Sequence, residues 1–129
     1  MKRAMLYVAL AGLAGLLMTG CAATNGGADL PESAAGGMKS VRLEGNGFYE
    51  ACEEVAPGQH MRYSFTASGP VDFDVHCHTA DGKSYPVKEG NITALQGECR
   101  AEVGAIHCGM WKNLQATPVD LEYEFFVIP

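Results

Sequence analysis

The chain reads as an all-β protein, a small antiparallel β-sandwich or jelly-roll of seven to eight strands that follows a signal segment and a flexible tether. Three observations carry that reading. Turn-forming residues recur at short intervals, at Ala56-Pro57-Gly58, Ser68-Gly69-Pro70, Ala80-Asp81-Gly82, Glu89-Gly90-Asn91, Gly104 and Thr117-Pro118, and leave stretches too short for stable helices. Several of those stretches alternate with a period of two, the signature of a strand with one buried face. No stretch carries the 3.6-residue periodicity of an amphipathic helix, and there is no internal repeat.

The elements follow in order. Met1-Lys2-Arg3 is basic, and Ala4 to Met18 is uncharged and apolar before the small residues Thr19 and Gly20, which is the layout of a secretory signal. Its apolar run, about 15 residues, is shorter than the ~20 a helix needs to cross a bilayer. From Ala22 to Met38 the chain has almost no large apolar residues and no periodicity, so burial cannot offset the entropy of ordering it. Residues 21–39 therefore read as a tether, whose coil spans on the order of 20 to 25 Å. The remaining part, 40–129, reads as one domain. Its strands are expected at Val41 to Leu43, Phe48 to Cys52, Gln59 to Phe65, Val71 to His78, Lys83 to Lys88, Gly97 to Ala101, Ala105 to Trp111 and Val119 to Ile128. In the third, Met61, Tyr63 and Phe65 share a face. In the fourth, Val71, Phe73, Val75 and Cys77 face one way and Asp72, Asp74, His76 and His78 the other.

Leu17-Met18-Thr19-Gly20-Cys21 resembles the lipobox of bacterial lipoproteins, with Met18 at the leucine-like position and Gly20 as the small residue before the cysteine. The resemblance implies cleavage before Cys21 and a lipid anchor on it, so residues 1–20 are a lipoprotein signal peptide. Several acyl chains hold a protein firmly on a membrane it does not cross. Ala22 stands where an aspartate would resemble an inner-membrane retention signal, so the expected location is the outer membrane, facing the periplasm, in a cell with two membranes. Without Lys2 and Arg3 the chain keeps seven of its nine Lys/Arg against fifteen Asp/Glu, a formal charge near −8. Such a surface repels nucleic acid, which is excluded as a partner.

Setting Cys21 aside, Cys52, Cys77, Cys99 and Cys108 form an even set in an oxidising compartment. Two disulfides follow, with three connectivities open. The run Phe48 to Gly58, the strand Val71-Asp72-Phe73-Asp74-Val75, the segment Gly104-Ala105-Ile106-His107-Cys108 with Asn113, and the alternating last strand Val119 to Val127 together resemble the GOLD (Golgi dynamics) β-sandwich. That resemblance implies a Cys52–Cys108 disulfide, leaving Cys77 with Cys99, and a binding role without catalysis. It names no ligand.

His76 and His78 lie two apart on one strand, so both imidazoles leave the same face with Cβ atoms roughly 7 Å apart and can converge on one ion. His107 is read as outward-facing, with Ile106 and Cys108 inward. It supplies a third nitrogen if its strand neighbours Val71 to His78, with Asp74 or Met110 as further candidates. Imidazole selects copper or zinc. The competing reading is a hydrated row of paired Asp and His on a solvent face. No nucleophile elbow, phosphate-binding glycine loop or helical His-Glu-x-x-His occurs, so no enzyme is expected. The function expected is a membrane-anchored binding module for an envelope protein or small ligand, with metal handling at His76, His78 and His107 as the alternative.

Overall fold

The long strand that carries His76 is the organising element of the fold. The computed structural model describes residues 22–24 and 37–128, and among them there is no helix. The strands are β1 (Ala22–Thr24), β2 (Lys39–Leu43), β3 (Phe48–Val55), β4 (His60–Thr79), β5 (Gly82–Arg100), β6 (Ala105–Lys112) and β7 (Val119–Ile128). All pairings are antiparallel and belong to one sheet. The signal segment 1–20 and Cys21 lie outside the described residues, as does most of the tether.

The domain expected to have seven to eight strands has six, β2 to β7. Gln59 to Phe65 and Val71 to His78 are one strand, β4; Lys83 to Lys88 and Gly97 to Ala101 are likewise one, β5. The intervening Ser68-Gly69-Pro70 and Glu89-Gly90-Asn91 are irregularities inside paired strands rather than turns between them. Between the pairs Thr66–Ala94 and Val71–Ile92, four residues of β4 face one of β5, and between Val71–Ile92 and Phe73–Glu89 the surplus is on β5. A surplus residue bends a strand without ending its pairing. Asn91 takes the bend with a φ of 56°, and its amide donates to Asp72 Oδ1 at 2.9 Å.

β4 pairs along its whole length with β5, while its other edge is shared: residues 60–67 pair with β7 and residues 72–77 with β6. The bend folds these halves over one another. Phe65 and Phe73 are eight residues apart, about 27 Å in a straight strand, yet their ring centroids are 4.9 Å apart. The result is a single curled antiparallel sheet. Its concave side is the core, where Trp111, fully buried, meets Phe73, Phe65 and Tyr123 with ring centroids at 5.2, 5.8 and 4.8 Å. Asn113, also fully buried, ties the chain after β6 by donating to the carbonyls of Thr117 and Glu44 at 2.8 and 3.2 Å and accepting from the Gln115 amide at 3.0 Å.

Three residues of the expected tether are part of this sheet. Ala22–Thr24 pairs with Gln96, Gly97 and Glu98 of β5, so the edge of the sheet begins one residue after Cys21.

Candidate metal centre

The convex face of β4, β6 and β3 collects the chemistry. Directly opposed residues on neighbouring strands project to the same side, and the register opposes His76 to Cys108, Cys108 to Cys52, Asp74 to Met110 and Met110 to Glu50. One patch of sheet therefore carries Asp74, His76 and His78 from β4, Cys108 and Met110 from β6, and Glu50 and Cys52 from β3. The alternation that put His76 and His78 on a common face holds, but that face is not simply hydrated, because His76 is 1% exposed and Asp74 7%. His78 is exposed.

Asp74 Oδ1 lies 2.6 Å from His76 Nδ1. A carboxylate only accepts, so Nδ1 carries the hydrogen and, in the neutral ring, Nε2 keeps its lone pair. That nitrogen is buried and has no hydrogen-bond partner among the described residues. It faces Glu50 Oε1 at 3.4 Å, within range of charge but beyond a good N–H···O bond. The imidazole is buried while the Glu50 side chain keeps 35% of its surface in solvent, and two electron-rich atoms turned towards each other at the rim of a buried site favour a cation between them, a proton or a metal ion. The fixed Nδ1 is also how proteins orient a metal-binding imidazole. The ring of His78 stands edge-on to that of His76 at 5.2 Å, and Tyr85 flanks it at 5.7 Å. Nitrogens of both histidines and Sγ of Cys108 lie within 4.8 Å of one another. Ligands 2.0 to 2.1 Å from one ion are at most about 4 Å apart, a closure left to the exposed His78.

His107 does not join them. It opposes Cys77 in the register, lies on the core face with Gly109 and Trp111, is 3% exposed, and has Nδ1 3.1 Å from the Ala105 carbonyl. The expected facing of this strand is reversed: Cys108 is on the outer face and Ile106 is 51% exposed. Packing decides it, because the inward face must admit Trp111, and Gly109 leaves room for the Phe125 ring, which a Cβ would meet at 2.9 Å. Met110 is outward, with Cys108. Glu50 was missed as a site residue, and Cys108 was read as a disulfide partner alone; each reaches the site by strand pairing, which leaves no local mark in the sequence.

Cys52 and Cys108 form a disulfide. The expected Cys77–Cys99 bridge is not formed: Cys77 is free and buried, and Cys99 is bonded elsewhere. Cys77 and His107 face the core, away from Cys108. In the oxidised chain Cys108 is thus not a thiolate, and the donors left are the imidazoles of His76 and His78, with Glu50 Oε1 3.4 Å from His76 Nε2 but outside the group of atoms within 4.8 Å; nitrogen and oxygen donors suit zinc or copper(II). Beside it lies an open cavity of about 310 Å³ edged by Asp72, Asp74, Tyr85, Lys88, Met110 and Lys112. His60 belongs to a separate surface cluster, with Nδ1 2.6 Å from Glu98 Oε1 while Arg62 reaches the same carboxylate at 3.3 Å.

No protein-family model matches the chain, and no curated protein is significantly similar to it. Among solved structures it is similar to the crystal structure of the Yersinia pseudotuberculosis-derived mitogen, with a TM-score of 0.56 at 10% identity over 71% of this chain and 85% of that one. It also matches a de novo designed double-stranded β-helix, with a TM-score of 0.42 at 18% identity over 70% of this chain and all of the designed one. At such identities the mitogen likeness concerns the fold alone.

Proposed function

We propose that the protein is an exported, lipid-anchored binding module of the cell envelope, without catalytic activity, whose ligand is a copper or zinc ion held by His76 and His78 with Glu50. One observation carries the metal: a fully buried imidazole, its Nδ1 fixed by a carboxylate, presents a bare Nε2 to a second carboxylate. The lipid anchor and export rest on Leu17 to Cys21, and Ala22 after the cysteine supports an outer-membrane location facing the periplasm. The curl of the sheet supports a jelly-roll reading, and the GOLD resemblance supports binding rather than catalysis. The histidine pair bends the earlier three-histidine reading to two, since His107 is on the other face.

A second reading, an envelope protein or small ligand seated in the adjoining cavity, is favoured by Tyr85, 47% exposed at its edge. Calorimetric titration of the oxidised exported protein with copper(II) and zinc separates the two. One ion per chain, with affinity lost in His76→Ala and His78→Ala, supports the metal. Heat unchanged by either substitution, or no binding, removes it and leaves the cavity.

A further inference from the structure

We propose that the Cys52–Cys108 disulfide is a redox gate on this site, so that its reduction adds the Cys108 thiolate to His76 and His78 as a third ligand; the proposal rests on the metal reading above. The geometry has three parts. Cys108 stands directly opposite His76 on the neighbouring strand, with its sulfur in the group of atoms within 4.8 Å that includes both imidazoles. The two cysteines differ in access, since Cys108 is 1% exposed whereas Cys52 is exposed. His76 Nε2 is already buried and without a hydrogen-bond partner, so the site has a ligand waiting whatever the state of the bridge.

An attacking thiolate meets the exposed partner first. It forms an S–S bond to Cys52 Sγ and breaks the Cys52–Cys108 bond, and the electron pair leaves on Cys108 Sγ, the sulfur beside the imidazoles. The second thiol of a dithiol reductant then attacks the mixed disulfide and frees Cys52. The dithiol is oxidised to a disulfide, the protein bridge is reduced to two thiols, and two electrons and two protons have passed to the protein. Binding of a metal ion at Cys108 releases the thiol proton to water. A thiolate changes the site's preference as well as its strength: imidazole and carboxylate suit zinc and copper(II), whereas sulfur favours copper(I) and holds zinc more tightly. The gate therefore gives a weak oxidised site and a strong reduced one.

The test uses cobalt(II) as a spectroscopic probe on the full exported chain, comparing the oxidised protein, Cys52→Ser and Cys108→Ser. Both variants lose the bridge, so they share the loss of stability that comes from it and differ in which thiol remains and in whether the new serine is buried. Cys52→Ser should bind cobalt at least about tenfold more tightly than Cys108→Ser, with a thiolate-to-cobalt charge-transfer band that Cys108→Ser lacks. Wild type reduced with a phosphine under argon repeats the measurement should Cys52→Ser not fold. Equal affinities and no band in the reduced forms, with cobalt still bound by the oxidised protein through His76, overturn the gate and keep the metal site. Failure of every form to bind overturns both. A band in Cys52→Ser with no binding by the oxidised protein upholds the gate and overturns the oxidised two-histidine site.

Discussion

Two tyrosines show how single side chains set the limits of this fold. Tyr63 is fully buried, and its hydroxyl has no hydrogen-bond partner among the described residues; burial, and then the nearby Glu89 charge, push its pKa up to about 12. Burial and then the hydroxyl of Tyr49, 2.7 Å away, push Tyr123 up as well. For Tyr63 the unfolded phenol ionises near 10 and the folded one near 12. The resulting stability is fully present below pH 10 and falls as pH rises towards 12, where the unfolded chain has given up a proton that the folded one retains. Tyr63→Phe removes an unpaired buried hydroxyl, so it should raise stability at neutral pH by about 1 kcal/mol. It should also flatten the loss between pH 10 and 12, as followed by urea unfolding across that range. A variant less stable than wild type at pH 7 would mean the hydroxyl is satisfied.

Cysteine sets a second residue-scale limit. Of the five cysteines, Cys52 and Cys108 are joined and Cys77 is free. A sulfur that carries a lipid thioether cannot also be in a disulfide. Mass mapping of the membrane-extracted protein without reduction should return a lipid-modified Cys21 peptide. A Cys21–Cys99 crosslinked peptide instead would sink the lipid anchor. At this scale the sequence shows the histidine pair plainly, since a strict two-residue period settles which side chains share a face. It is silent on Glu50, and on Cys108 as a neighbour of His76, because both arrive from other strands.

At the scale of elements, β6 shows where alternation misleads. Ala105 to Trp111 offers apolar residues on both faces, Ile106 and Cys108 on one and Trp111 on the other, so period alone does not decide which is buried. The bulk of Trp111 and the gap at Gly109 do. Gly109→Ala would drive a Cβ to 2.9 Å from the Phe125 ring and should cost about 1 to 3 kcal/mol, with the same sheet in far-ultraviolet circular dichroism and a lower midpoint in urea. Loss below 0.5 kcal/mol would show that Phe125 moves aside easily. The strand count fails for a related reason. Gly-Pro and Gly-Asn mark a bend equally well in a turn or a bulge, and only the partner strand distinguishes them. The real two-residue turn, Ala80-Asp81, is followed by Gly82 at φ of 121° and closed by Thr79 Oγ1 donating to the Gly82 carbonyl at 3.0 Å; here the sequence reading agrees with the structure.

For the molecule as a whole, the all-β class, the antiparallel pairing and the Cys52–Cys108 bridge were legible, because period, turn residues and the family likeness each point to them. The curl was not, since it depends on β4 giving one edge to two different strands. That sharing has a thermodynamic consequence. His76 sits in the half of β4 that pairs with β6, while Met61, Tyr63 and Phe65 sit in the half that pairs with β7, and because one strand runs through both, the two halves are expected to open together. An ion held at His76 should therefore raise the melting midpoint of the entire protein in one transition. At a hundredfold excess over the dissociation constant the shift corresponds to about 2.7 kcal/mol, several degrees for a domain of this size. A biphasic melt with only one phase moved by zinc would show the halves to be independent. If the transition is single, heat capacity becomes a gauge of occupancy: the temperature at which the far end of the ribbon melts reports how much metal the near end has bound.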